Sequence, residues 1–209
     1  MKSPIDMWDH RYGDDPAAYG DEPNRFLAGL GGMLPKSGRA LLPGDGQGRN
    51  GIWLAENGLQ PLCIDLSSVG LQQATERSKK RGVDIDTIAG DFLEADFPPK
   101  SFPIVASIYF HVPSAIRPAA HSRMAEALAP GGLLIVEAFA VGHLPLQEKH
   151  HSGGPATNDM LYSEEILRRD FADLDCLYLE EIELVLAEGK LHNGLARVVR
   201  GLFSTPSRS

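Results

Sequence analysis

The segment Leu41-Leu42-Pro43-Gly44-Asp45-Gly46-Gln47-Gly48-Arg49-Asn50-Gly51 joins an apolar strand to an amphipathic helix through alternating glycines. Glycines without a Cβ let the backbone turn sharply and approach a bound molecule. The helix that follows aims unpaired N–H groups at any carboxylate or phosphate placed there. Such a loop cradles a ligand. The next apolar run, residues 61–65, ends on Asp65, and an acid at a strand tip accepts hydrogen bonds from both hydroxyls of a ribose. Loop and acid together specify a nucleoside-containing cofactor.

Around this pair the chain alternates regularly. A short helix opens at Asn24 and stops at Gly31-Gly32, and a first strand covers 39–42. Helices at 50–57 and 67–81 flank the strand at Leu62, and Gly82 breaks the second before a strand at 85–89. A fourth strand spans 103–108, a helix runs over about 114–128, and Pro130-Gly131-Gly132 turns the chain into a fifth strand over 133–138. Strands spaced by helices imply parallel βαβ units, an α/β sheet covered on both faces. After a helix at 164–171, the segments 177–186 and 191–202 are joined by Ala187-Glu188-Gly189-Lys190, a hairpin signature. An antiparallel hairpin appended to a parallel sheet gives a mixed sheet. Residues 141–161, with His143, His150 and His151, read as a long loop, and such loops are usually functional or disordered.

With 209 residues and 43% hydrophobic content the chain buries one good core, and no polar linker divides it, so a single domain over 1–209 is expected. A net charge of −8 repels a phosphate backbone and disfavours nucleic acid and anionic membrane, leaving a small-molecule partner. Met1-Lys2-Ser3-Pro4-Ile5-Asp6 lacks the apolar core of a signal peptide, and no apolar run approaches the roughly 20 residues of a membrane span. A cytoplasmic protein is expected, and nothing in the sequence sets an oligomeric state. Cys63 and Cys176 sit in apolar strand-like segments, where a free thiol behaves as a small buried hydrophobe. The histidines 143, 150 and 151 fit no zinc spacing, so no metal is expected.

The order of motifs resembles the class I S-adenosylmethionine-dependent methyltransferases, and within them the tellurite-resistance-like family. The matching stretches are Trp8-Asp9-His10-Arg11-Tyr12, Tyr19-Gly20-Asp21-Glu22-Pro23-Asn24, the glycine loop with Gly48-Arg49-Asn50, and Asp65-Leu66-Ser67-Ser68-Val69-Gly70-Leu71. Asp91-Phe92, Ser107-Ile108-Tyr109-Phe110-His111-Val112-Pro113, Leu128-Ala129-Pro130-Gly131-Gly132 and Glu188-Gly189-Lys190-Leu191-His192-Asn193-Gly194 follow in order. The resemblance covers nearly the whole chain. It implies a doubly wound, Rossmann-like sheet of seven strands, mostly parallel with the last antiparallel. An N-terminal lid region would span 1–35, a cofactor-binding core 36–139, and a substrate-side loop, helix and hairpin 140–209.

It also implies roles. Gly44, Gly46 and Gly48 would line the methionine moiety of S-adenosylmethionine; Asp65 would hold the ribose and Leu66 flank the adenine. Asp91 would accept from the adenine amino group, with Phe92 against the ring, and Ile108 and Tyr109 would border the path of the methyl. Trp8 and Tyr12 would belong to the lid, and Tyr12, Tyr19 or Tyr109 would favour the sulfonium through their ring faces. One position departs from the family: Leu42, followed by Pro43, stands where an acid usually anchors the cofactor's amino group, and Asp45 is the nearest replacement.

Several positions keep two readings. Gly46-Gln47-Gly48-Arg49-Asn50-Gly51 also satisfies G-x-G-x-x-G, the fingerprint of a nicotinamide dinucleotide oxidoreductase, which the hairpin and the lack of a separate substrate domain disfavour. Asp65 and Asp91 could equally be turn residues. His111 is either a base or substrate contact or a turn cap, His192 either reaches the substrate cavity or lies on an edge surface, and Arg197 meets an anion or water. Lys79-Lys80-Arg81 complements a helix C-terminus. Methyl transfer to a small nucleophile, with Tyr109, His111 and His192 nearest the chemistry, is the expected function, and cofactor binding without turnover is the other class.

Overall fold

The computed structural model describes residues 3–206. Met1 and Lys2, on which part of the signal-peptide reading falls, and the last three residues of the expected domain span lie outside the described residues. The chain runs α1 (Pro4–Asp14), α2 (Arg25–Gly29), β1 (Arg39–Pro43), α3 (Arg49–Glu56), β2 (Gln60–Asp65), α4 (Ser68–Lys80), β3 (Asp86–Ala89) and β4 (Phe102–Ile108). It continues with α5 (Arg117–Ala127), β5 (Leu128–Phe139), α6 (Leu144–His150), α7 (Glu164–Asp170), β6 (Asp175–Ala187) and β7 (Asn193–Ser204). Among the described residues seven strands form one sheet in the order β3-β2-β1-β4-β5-β7-β6. β3 to β5 pair in parallel, and β7 joins β5 and β6 antiparallel.

Successive strand residues part into two cores, as a two-residue period demands. Leu41, Leu62, Ile64, Val105 and Val136 pack with Ala120, Met124, Leu167 and Phe171, from α5, α7 and the residue after α7. Ala40, Leu42, Cys63, Ile104 and Ala106 pack with Leu27, Leu54 and Leu71 from α2, α3 and α4. Helices thus cover both faces, and the doubly wound mixed sheet is as the sequence implied. Arg77, Lys79 and Lys80 fill the last turn of α4, where cations face the helix's partial negative charge.

Four details differ from the sequence reading. The polar opening is a helix: Ser3 accepts from the Asp6 N–H while the Asp6 carboxylate accepts from the Ser3 N–H, a reciprocal cap, and Pro4 follows at the first turn. The loop at 141–161 contains α6 and a 3-10 turn at 158–160, and Tyr162 ties it back to the sheet through its N–H to Phe139 O at 3.0 Å. β5 begins five residues early, with a bulge absorbing Pro130 and its glycines between the pairs Phe102–Leu128 and Ile104–Leu133. Cys63 is buried as expected, but Cys176 is exposed, because β6 is the outer edge strand. No described helix is long and apolar enough to cross a membrane.

Candidate functional site

The chain winds outward from β1 to β3 and then returns to β4 on the other side of β1, so the crevice between β1 and β4 is the topological switch point where such sheets bind ligands. The glycine loop leaves β1 there, and Ile108, Tyr109 and Phe110 leave β4 there. Gly44, Gly46 and Gly48 all have left-handed φ, at 67°, 53° and 79°. Each also gives way to a neighbour: a Cβ would meet Phe110 Cδ2 at 2.6 Å from Gly44, Ala74 Cβ at 2.5 Å from Gly48, and the Tyr12 hydroxyl from Gly46. The third glycine therefore lets α3 and α4 pack closely, and the first two let aromatic rings lie on the loop.

Asp65 ends β2 nearly buried and laces the loop to the next turn, accepting from Gly46 N–H at 2.9 Å and Ser67 N–H at 2.8 Å. Burial pushes its carboxyl up to about 6 against those two hydrogen bonds. Asp91 lies on the same carboxyl edge, since Asp65 pairs with Ala89 two residues before it; it is exposed and accepts from Leu93 N–H at 2.9 Å. Leu66 is half-buried beside Asp65. Phe92 points elsewhere: it is buried in the core, stacked on Phe97 at 5.6 Å, so its ring is a packing group and not the expected adenine contact.

Asp45 is also turned inward. Its Oδ2 accepts from Gly51 N–H at 3.0 Å and from the Cys63 thiol at 3.3 Å, and burial raises it to about 6. The carboxylate braces the start of α3 from beneath the loop, and Leu42, where the family acid would stand, is buried in apolar company. Above the loop, α1 is docked by polar contacts. Ser67 Oγ donates to Asp9 at 2.5 Å, Gln73 to Tyr12 O at 3.0 Å, and Gln47 to Asp15 O at 2.8 Å. The Tyr12 ring lies over Gly46 and Gly70, with Trp8 stacked on it at 5.7 Å. Burial first, and the charge of Asp65 second, lift its phenol well above the usual value.

Beyond β4 lies a buried aromatic cluster. His192, in the turn of the β6–β7 hairpin, is only 5% exposed, with Tyr109 at 4.4 Å, Tyr19 at 4.5 Å and Phe139 at 5.3 Å from its ring. It is not the edge-surface residue that its place on a hairpin suggested. Its Nδ1 has no hydrogen-bond partner among the described residues, and burial, then the nearby Arg49, lowers its pKa well below the ordinary range. Tyr109 has φ 52°, uncommon for a residue with a side chain, and its buried hydroxyl has no hydrogen-bond partner among the described residues. Burial, with the Glu137 and Glu188 charges behind it, pushes that phenol well above its usual value.

His111 is spoken for on both nitrogens. Its Nδ1 lies 2.7 Å from Met160 O and so carries the proton, and its Nε2 accepts the Phe139 N–H at 3.2 Å. Burial lowers it to about 4, so it is a neutral strap between the 158–160 turn and β5, with no lone pair left for a substrate proton. His143 repeats the pattern with Gly153 O at 2.8 Å and Arg197 N–H at 3.2 Å. Arg197 itself pairs with Glu181 at 3.1 Å. Among the described residues no cluster of His, Cys, Asp and Glu is placed to hold a metal.

Behind the cluster sits a charge network to which sequence reading gave no role. Glu137, wholly buried on β5, accepts from Asn24 Nδ2 at 2.6 Å and pairs with Arg200 of β7. Glu188 pairs with Arg49 at 2.7 Å and accepts from Asn24 Nδ2 at 3.1 Å and Arg25 N–H at 3.2 Å. The two acids and two arginines balance. One signal was present: an acid inside the apolar run of β5 is costly unless paired.

Residues 41–132 match the family model described as a methyltransferase domain. A probable thiol methyltransferase of Arabidopsis thaliana is 32% identical over 130 residues, 59% of this chain, which spans about half (53%) of that relative's length. The fold matches TehB from Haemophilus influenzae with a TM-score of 0.73 at 15% identity, covering 95% of this chain and 67% of that one. It also matches the N-methyltransferase NodS from Bradyrhizobium japonicum in complex with S-adenosylhomocysteine, with a TM-score of 0.73 at 17% identity, covering 97% and 98%. Residues 41–132 thus resemble a methyltransferase domain, and the chain shares the fold of these two solved structures.

Proposed function

We propose that this domain transfers a methyl group from S-adenosylmethionine to a small thiol. S-adenosylmethionine, when bound, supplies an electrophilic methyl on a sulfonium, so the chain needs to bind, orient and exclude water. The glycine loop and the first N–H groups of α3 receive the methionine carboxylate. Asp65 accepts from the ribose hydroxyls with its remaining lone pairs, Asp91 from the adenine amino group, and Leu66 flanks the base. Ile108 and Tyr109 border the methyl. Entry of the cofactor requires α1 to lift Tyr12 from the loop. An acceptor sulfur held beside Tyr19, Tyr109 and His192 would receive the cofactor's methyl. The thiol proton passes to the free Nδ1 of His192.

The observation that carries this reading is the orphaned, neutral His192 in an aromatic cluster beside the switch-point loop. A thiol suits these surroundings better than a tellurium or selenium oxyanion, because Arg49 is already neutralised by Glu188 and Arg11 donates to Tyr19 at 2.9 Å while lying over Trp8. The name of the Arabidopsis relative points the same way. The acidic surface supports a small-molecule partner over nucleic acid. Incubation with methyl-labelled S-adenosylmethionine and sodium sulfide, a panel of small thiols, or tellurite tests it: label in an S-methyl product is expected, and label only with tellurite would refute the thiol assignment. A second reading, binding without turnover, is favoured by Leu42 and the inward Asp45, which leave the cofactor's ammonium without a strand-end acid. It predicts S-adenosylhomocysteine binding with no labelled product from any acceptor.

A further inference from the structure

We infer that Glu188 is a positioning residue that fastens the hairpin turn, and His192 with it, to the cofactor loop through Arg49. The inference rests on the loop being the cofactor's, as proposed above. Arg49 is the first residue of α3 and follows the left-handed Gly48 directly, so it moves with the loop. Its guanidinium meets Glu188 at 2.7 Å, and both side chains are less than a tenth exposed. Glu188 in turn donates its own N–H to His192 O at 2.8 Å. Two contacts therefore span from the glycine loop to the acceptor face.

The surroundings leave the turn little freedom to hold His192 in any other way. Leu191 N–H donates to Ala18 O at 3.0 Å, and the backbones of Gly20 and Gly189 touch so closely that a Cβ on Gly20 would lie 3.1 Å from Gly189 N. Asn24 bridges Glu188 to Glu137, so the N-terminal segment, α3, β5, β7 and the hairpin turn meet at four balanced charges. A buried ion pair adds little net stability over apolar packing, while it allows only one arrangement of its partners. Apolar contacts would hold the turn in place; the charged pair makes its place depend on where the loop puts Arg49.

Hydrogen exchange of the full chain, with S-adenosylhomocysteine as probe, tests this. In the free protein Glu188→Gln should speed exchange at residues 187–193 about tenfold, with the β4 and β5 amides unchanged. In the wild type the probe should slow exchange both at 44–50 and at 187–193. In Glu188→Gln it should still slow 44–50 but no longer 187–193, a loss of coupling that a merely structural role would not produce. Arg49→Gln, which removes the same ion pair from the loop side, gives an independent perturbation with the same expected uncoupling should Glu188→Gln fail to fold. Unchanged turn exchange in free Glu188→Gln, or equal protection of the turn in both proteins, overturns the inference. A probe that protects nothing in the wild type instead refutes the cofactor assignment, and the free-protein comparison still judges Glu188.

Discussion

His111, just after the fourth strand, and His192, on the hairpin, both stand near the expected chemistry in sequence, and the structure separates them by their hydrogen bonds. His111 is held by groups 28 and 49 residues away, distances no local pattern reports. His111→Ala should therefore lower stability by about 1–3 kcal/mol, the range for leaving buried partners unsatisfied, with turnover per folded molecule retained. His192→Ala should lower kcat on a thiol by roughly 10²–10⁴, the usual worth of a positioned base. Urea unfolding and thiol turnover of the two variants check the pair; a reversed pattern would return the base role to His111. Asp45 has its own signature. Burial raises it from 3.8 to about 6, so the folded state binds the extra proton and the wild type loses stability as pH rises from about 4 through about 6. Asp45→Asn keeps an acceptor for the Gly51 N–H without the charge, and its unfolding midpoint should fall less than that of the wild type between pH 4.5 and 7. His111 works in the opposite sense, its contribution being present above pH 6.5 and lost as pH falls towards about 4.

At the level of elements, the proposed function requires α1 to move. Its polar anchors onto α4 and the glycine loop are few, and the Asp9 carboxylate accepts from both Ser67 Oγ and the Val69 N–H, at 2.5 and 3.4 Å. Asp9→Ala should speed S-adenosylhomocysteine exchange about fivefold, as expected for losing roughly 1 kcal/mol of closed-state hydrogen bonding; stopped-flow release that is unchanged would show that α1 does not gate the crevice. The sequence announced this helix through Ser3, Pro4 and Asp6, yet its polar face hid it, because a helix that rests on polar groups shows little apolar periodicity. The inner strands and α3 to α5 were legible from alternation alone. The order within 141–161 was not, since α6 is short and His143 is fixed by backbone groups of 153 and 197. Cys176 was misread because an edge strand and a central one can share composition while only topology decides exposure.

For the molecule as a whole, the alternation of strands and helices revealed the switch point, and with it the rim shared by the glycine loop, Asp65 and Asp91. The aromatic cluster was only half visible. Tyr109 and His192 could be nominated, but the ties from Asn24 to Glu137 and Glu188 join residues 113 and 164 apart, and nothing short-range encodes such pairings. The same long reach explains why Asp45 seemed a cofactor ligand when it is a brace for α3: its thiol partner, Cys63, belongs to the neighbouring strand. On the proposed function, Asp65 and the glycine loop grip an adenosyl cofactor at that rim. Calorimetry of the intact chain with S-adenosylhomocysteine, against NAD and against Asp65→Ala, tests it most directly. Saturable binding of S-adenosylhomocysteine, no binding of NAD and a loss of about tenfold in affinity for Asp65→Ala, near 1.4 kcal/mol, are predicted. Binding of NAD alone, or an affinity indifferent to Asp65, would contradict the account.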